Sequence, residues 1–245
     1  WFDLTGAAPL NINKPIGRRQ VVKFIGAGGG IRKDDAGVIF TGANGVSDVW
    51  AIGVDFASVP GAGTIVWDCD NLILVNSEGC TYRGVDRVIS QTAPAGYLQS
   101  VRFHRDHITG GRGPAFTFVR SFDTTFDDLL IEHREGGIWH DRYGDGSGVA
   151  HTNLRITKCL IEGLSGAPLK LSSAVAGLTI ESCYFEASGD AATSQIDLYT
   201  VAPTARAVGI MLASNPFTLK ATQIAARTPA YRRGQIAPSF WKIST

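Results

Sequence analysis

Glu132, Glu162 and Glu186 each follow a short apolar segment at matched positions of a repeat, with Thr109 in the corresponding earlier place. Stacked in a parallel array, such residues form one outward column spaced about 4.8 Å per rung. Carboxyls one rung apart suit a retaining glycosidase, which needs about 5–5.5 Å; two rungs apart approach the inverting range of about 6.5–9.5 Å. Crowding would raise one pKa, as a general acid requires. The other reading of the column is a solvated acidic ladder offset by Arg134, Arg155 and Lys158.

A second constellation surrounds an insertion. Asp141-Arg142-Tyr143-Gly-Asp145-Gly-Ser-Gly148 lengthens one repeat, and a turn inserted into a regular stack must protrude. Trp139 and His140 precede it. Alternation points Trp139 outward, where its ring could stack on a sugar while Asp141, Arg142, Tyr143 and Asp145 meet hydroxyls. Alternatively Trp139 packs under its own loop or in a subunit contact.

All five histidines lie between 104 and 151. His104 and His107 flank Asp106, and His133 follows Glu132, so acid–base or metal chemistry is conceivable. His-x-x-His on an extended strand, however, sends the rings to opposite faces, which argues against a metal site. Gly26-Ala-Gly-Gly-Gly30 lacks both the dinucleotide and the P-loop completion and reads as a turn. Asp141 to Asp145 lacks the terminal Glu of a calcium loop. No cofactor is implied. The four cysteines form no CxxC pair and no zinc spacing.

These residues are positioned by a repeat. Phe103, Phe126, Ile156 and Ile180 are separated by 23, 30 and 24 residues. The same steps relate 106, 129, 159 and 183, and again 108, 131, 161 and 185. Asp106 breaks the apolar rule of its column. A second strand follows in each unit: Phe116–Phe118, Ile138–His140, Leu169–Leu171 and Ile196–Leu198, each with one side chain directed away from the core. Gly-rich turns at 110–113, 136–137 and 163–166 separate the strands. Between 46 and 97 the pattern yields no register. Equal steps of same-type residues predict a parallel β-helix whose coils bury their apolar faces by stacking. An antiparallel sandwich would not produce them. Cys159 and Cys183 then stack inward as free thiols, although a disulfide is geometrically possible.

Composition narrows the class. In 245 residues, 44% are hydrophobic and 18% charged, against about 25% charged in ordinary domains, which excludes disorder. A net charge of +1 indicates no nucleic-acid or membrane partner. No apolar run approaches the roughly 18 residues of a membrane span. A start at Trp1 and a single internal Met suggest that an N-terminal segment precedes this one. Beyond Asp197 only basic charges occur, alternating with Phe217, Tyr231, Phe240 and Trp241. This tail reads as a cap on the last coil or, alternatively, as an anionic-ligand patch.

Pro9-Leu-Asn-Ile-Asn-Lys-Pro-Ile16, then Val22-Lys-Phe-Ile-Gly-Ala-Gly-Gly-Gly-Ile31, resembles the opening coils of pectate-lyase-like right-handed β-helices. The likeness is to those of bacteriophage tailspikes and tail appendages. Asn153 to Gly163 and Gly177 to Glu186 are similar to later coils of that superfamily. The resemblance spans roughly 9–215 and implies an all-β, right-handed, single-stranded parallel β-helix with caps at both ends. The expected layout is a lead-in over 1–20, the β-helix over 21–215 and a cap or oligomerisation tail over 216–245. It further implies a homotrimer on a virion tail that binds bacterial surface polysaccharide, with no nucleic-acid partner and no membrane insertion. Cleavage, if present, would be hydrolysis through Glu132, Glu162 and Glu186. The second route is a lyase in which His140 or Tyr143 takes the proton beside a uronate while Arg142 stabilises the anion. The alternative of a different class is a structural appendage or adhesin.

Overall fold

Runs of two to eight residues rich in Val, Ile, Phe and Leu, broken at turn residues, each supply one edge of a coil. The computed structural model describes residues 1–12, 21–42, 46–68, 70–141, 151–172, 175–187, 196–199, 208–213 and 224–227. They form a parallel β-solenoid of three sheets, and no helix occurs among the described residues. Sheet A has eight strands, from Phe2–Asp3 to Tyr184–Ala187. Sheets B and C have nine each, the former from Leu10–Asn11 to Ile224–Arg227, the latter from Val22–Ile25 to Val208–Ala213. Each middle coil passes through C, A and B in turn. Pairing is parallel throughout, as in Ser121–Asp127 on His151–Thr157 and Leu130–Glu132 on Leu160–Leu164, so the antiparallel sandwich is excluded.

The repeat steps are the sheet register. Phe103, Phe126, Ile156 and Ile180 pair successively in sheet C. Ile108, Ile131, Ile161 and Phe185 do so in sheet A. In the stretch without a legible register, Ala51 pairs with Ser77 and Ser77 with Phe103, while Phe56 pairs with Tyr82 and Tyr82 with Ile108. Small side chains in sheet C are compensated there by large ones in A and B. Phe40 stacks on Trp67 at 4.4 Å and Phe56 on Tyr82 at 4.9 Å. Ser77 Oγ also lies 2.8 Å from the buried Tyr82 hydroxyl, giving that group the polar partner burial demands.

The corner from C to A is a repeated backbone device. Arg105, Asp128, Lys158 and Ser182 all have φ between 54° and 56°, the left-handed region. The first three donate their N–H to Asp127, Thr157 and Glu181 carbonyls of the next coil at 3.1, 2.9 and 2.9 Å. Such a conformation costs a non-glycine residue about 1–2 kcal/mol, and it turns the following residue inward. Those residues are Asp106, Leu129, Cys159 and Cys183, all buried. Cys159 N–H donates to Cys183 Sγ at 3.4 Å, and no disulfide joins the two. Asp106 has the equivalent role at an earlier corner: its Oδ1 accepts the Cys80 N–H at 2.7 Å. The Cys80 N–H gives this carboxyl a buried partner in an otherwise apolar column.

The extra residues of the 30-residue step lie between the strands Gly136–His140 and His151–Thr157. Sheet B continues past 215, since Ile224–Arg227 pairs with Ile196–Tyr199. Tyr231, Phe240 and Trp241 lie outside the described residues.

Candidate functional site

Thr109, Glu132 and Glu162 are successive register partners on the outer side of sheet A. After Ile161 pairs with Phe185 the register shifts, and the next pair is Leu164 with Ala187, so Glu162 and Gly163 together lie opposite the single Glu186. Glu186 accepts the Tyr184 hydroxyl at 3.2 Å. Glu132 and Glu162 are a direct register pair, and Glu186 follows across the irregularity.

Glu132 is braced by imidazoles. His107 Nε2 lies 2.9 Å from its Oε1, and His133 Nε2 3.8 Å from its Oε2. The hydrogen bond from His107 holds the Glu132 carboxyl below the ordinary range, reinforced by the charges of both histidines when protonated. The groups nearest this carboxyl are imidazoles rather than carboxylates. A correction concerns Arg134, which does not offset the ladder. It is 4% exposed, and its Nε and Nη2 donate to the carbonyls of Gly113 at 3.2 Å and Asp86 at 2.6 Å.

His104 and His107 diverge for a reason other than strand alternation. The left-handed Arg105 corner separates them, leaving His104 at the end of a sheet C strand and His107 at the start of a sheet A strand. Each pairs with a carboxylate of the next coil, His104 Nδ1 with Asp127 Oδ2 at 3.1 Å. Among the described residues no three His, Cys, Asp or Glu side chains converge as a metal ion would need.

Trp139 faces outward in sheet B, between Thr117 and Lys170 in register. Its ring lies flat on the sheet. A Cβ on Gly136 would come within 2.4 Å of the indole, so only glycine leaves room for it. Trp139 Nε1 donates to the Ala167 carbonyl at 2.7 Å, and Lys170 Nζ sits 3.9 Å from the ring centroid. The indole thus packs beside its own coil and stays half-buried. His140 points inward and is 2% exposed, with Nε2 2.8 Å from the Val119 carbonyl and its ring edge-on to His151 at 5.1 Å. Asp141 is exposed and its N–H donates to the Phe118 carbonyl at 2.9 Å. Arg142, Tyr143 and Asp145 lie outside the described residues.

A concavity lies near these groups at the corner between sheets A and B. It is a groove of about 520 Å³ lined by Gly111, Arg112, Gly113, His133, Arg134, Glu135, Gly163 and Ser165. His133 and Gly163 directly follow Glu132 and Glu162, and Glu135 directly precedes the strand that carries Trp139. The groove therefore separates the acidic column from the indole. Gly111 is required there by close approach: it has φ 86°, and a Cβ would meet the Val85 carbonyl at 2.0 Å. Glu132, Glu162, Glu186, Trp139, His140 and Asp141, the described residues singled out from sequence, do not themselves line it. The Gly-rich turns at 110–113 and 163–166 were legible as turns, but that they face one another across the buried Arg134 follows only from stacking. Burial lowers the Arg134 guanidinium to about 10 against an ordinary 12.5.

Fold and groove together define a three-sheet parallel β-solenoid with an open corner groove. Comparison with family models, characterised proteins and solved structures finds no match for this chain.

Proposed function

We propose that this solenoid is a tailspike-like receptor-binding protein that engages bacterial surface polysaccharide along the corner between sheets A and B. The observation that carries the reading is the groove itself, an open, glycine-floored trough with arginine, histidine and glutamate on its lining, bordered by a carboxylate column on one side and an outward indole on the other. An extended glycan fits a trough that runs along stacked rungs, because each rung repeats the same spacing of about 4.8 Å.

Where cleavage accompanies binding, the roles divide between two carboxyls. Glu132, kept ionised by His107, is suited to stabilise or attack a cationic glycosyl centre, and Glu162, its register partner, is the proton donor. Assembly as a homotrimer on a virion tail belongs to the same reading. The test is a depolymerisation and binding assay on a panel of capsular and O-antigen polysaccharides, with light scattering for the assembly state. Binding without turnover identifies an adhesin. Neither binding nor turnover on any glycan leaves a structural appendage.

A further inference from the structure

We infer that the first coil is an end-to-end docking surface for a second copy of this chain, closed about a two-fold axis. This surface is independent of the polysaccharide reading, since the corner groove lies on later coils, between Gly111 and Ser165. A coil of a solenoid buries its apolar side chains only by stacking, and a strand at the end of a sheet offers unpaired backbone donors and acceptors. Among the described residues all three sheets end at this coil, at Phe2–Asp3, Leu10–Asn11 and Val22–Ile25. Phe2 continues the inward column of Ile31, Leu10 that of Phe40, and Val22 and Phe24 those of Val49 and Ala51. Those partners are buried, whereas Phe2 is 76% and Leu10 37% exposed. Nine large apolar side chains are exposed among the described residues, and five of them, Trp1, Phe2, Leu10, Val21 and Ile25, belong to this coil.

The shape of the end selects a second copy. The chain visits sheet A, then B, then C before it returns to A at Gly30–Arg32. One turn climbs one rung, about 4.8 Å, so the end is a ramp with strand A outermost, B a step inward and C innermost. A flat partner would touch such a ramp only along A. A second ramp, turned over about an axis through the middle of sheet B, meets it at one common gap: A faces C of the other copy, and B faces B. The turn makes the facing strands antiparallel, the slightly stronger pairing. With Phe2 set opposite Phe24 of the second copy, Asp3 falls opposite Lys23, Trp1 opposite Ile25 and Leu4 opposite Val22. Inward positions then meet inward ones, and the one charged pair joins opposite charges. The step of the ramp is an apolar notch of about 270 Å³ at the C–A corner, lined by Trp1, Phe2, Phe24, Ile25, Ile31 and Val54. The same axis leaves the solenoid through that corner, so the two notches close on each other. A two-fold contact uses the same surface on both copies, so growth stops at a doubling.

Sedimentation velocity of the 245-residue chain at micromolar concentration tests this, with each variant checked for folding by circular dichroism. Ile25 is 69% exposed, so Ile25→Lys alters the end surface and not the core. The unaltered protein should have twice the mass of Ile25→Lys, whatever assembly the flanks of the solenoid make. Val59→Lys, at an exposed site on a later coil, should leave the mass doubled. Asp3→Lys and Lys23→Glu should each weaken the doubling about tenfold or more, because the two-fold axis counts each pair twice and like charges then face each other. The combined variant restores opposite charges and should recover the association. Backbone amides of residues 1–4 and 21–26 should exchange hydrogen more slowly in the doubled form than in Ile25→Lys. Equal masses for the unaltered protein and Ile25→Lys overturn the docking surface. Growth beyond a doubling overturns the two-fold closure, and a combined variant no better than its parents overturns the pairing of Asp3 with Lys23.

Discussion

Asp106→Asn isolates what a buried carboxyl does to this solenoid. Asp106 is 1% exposed and bonded through Oδ1 to the Cys80 N–H. Burial pushes its carboxyl up to about 7 from an ordinary 3.8, and the bond from Cys80 only partly opposes the rise. Between those two values the folded protein keeps a proton that the unfolded chain has released. Stability from this group is therefore complete below about pH 4 and is lost as the pH rises through 7. Three pH units at about 1.4 kcal/mol each give about 4 kcal/mol in total, of which roughly 2–3 kcal/mol falls between pH 5 and pH 8. Asparagine preserves the acceptor and cannot titrate. In urea titrations the variant should gain roughly 2–3 kcal/mol on the unaltered protein between pH 5 and pH 8. Asp106→Leu, which matches Leu129 at the following corner, removes the acceptor as well and should cost about 1–3 kcal/mol at pH 5 through the orphaned Cys80 N–H. Parallel pH profiles for Asp106→Asn and the unaltered protein would refute the reasoning, since a carboxyl of ordinary pKa contributes no slope in that range.

His151 has the opposite sign. It is fully buried, 3.0 Å from Ser121 Oγ, and burial with His140 nearby lowers it to about 3 from 6.5. Below pH 6.5 the unfolded chain takes up a proton that the folded one refuses, so stability falls by about 1.4 kcal/mol per pH unit towards pH 3. His151→Gln should remove that slope in denaturant titrations from pH 7 to 4. Phe126→Ala should cost about 3–5 kcal/mol in the same assay, because the ring is fully buried against Phe103 and Phe116 at 6.0 and 4.7 Å; a loss below about 1 kcal/mol would mean the aromatic ladder is not a packed core. On the glycan side, Glu162→Gln should abolish cleavage and retain binding, as the amide keeps the shape but cannot donate a proton as an acid does. Trp139→Ala should weaken binding by about 1 kcal/mol through lost stacking, and calorimetry showing unchanged affinity would remove the indole from the site.

The solenoid was legible where large apolar residues fell at equal steps. Phe103, Phe126, Ile156 and Ile180 announce one another because a parallel stack sets like positions of successive coils side by side, and the sheet confirms each pairing. Between 46 and 97 the same geometry left no trace. Ala51 and Ser77 hold positions that Phe103 later fills, while Trp67 and Tyr82 carry the missing volume on facing sheets. Packing conserves the volume of a coil, not the size of a side chain in a column, so a search for like residues fails there. Asp106 looked like an exception for a related reason. Its role as acceptor to Cys80 depends on the neighbouring coil, which no local pattern contains.

The candidate site divides in the same way. Sequence alone determined that Thr109, Glu132 and Glu162 form a column, because strand register follows from the repeat. It could not determine the register shift after Ile161, nor that the carboxyl of Glu132 meets His107 from the coil before. Both are decided by side-chain directions and by one left-handed turn at Gly163, φ 63°. Arg134 marks the limit most clearly. Beside Glu132 in the chain it reads as a surface counter-ion, yet the corner carries it inward to carbonyls of Asp86 and Gly113. Alternation fixes a side chain's face within a strand, whereas at a corner the direction belongs to the turn and to the coils stacked on either side.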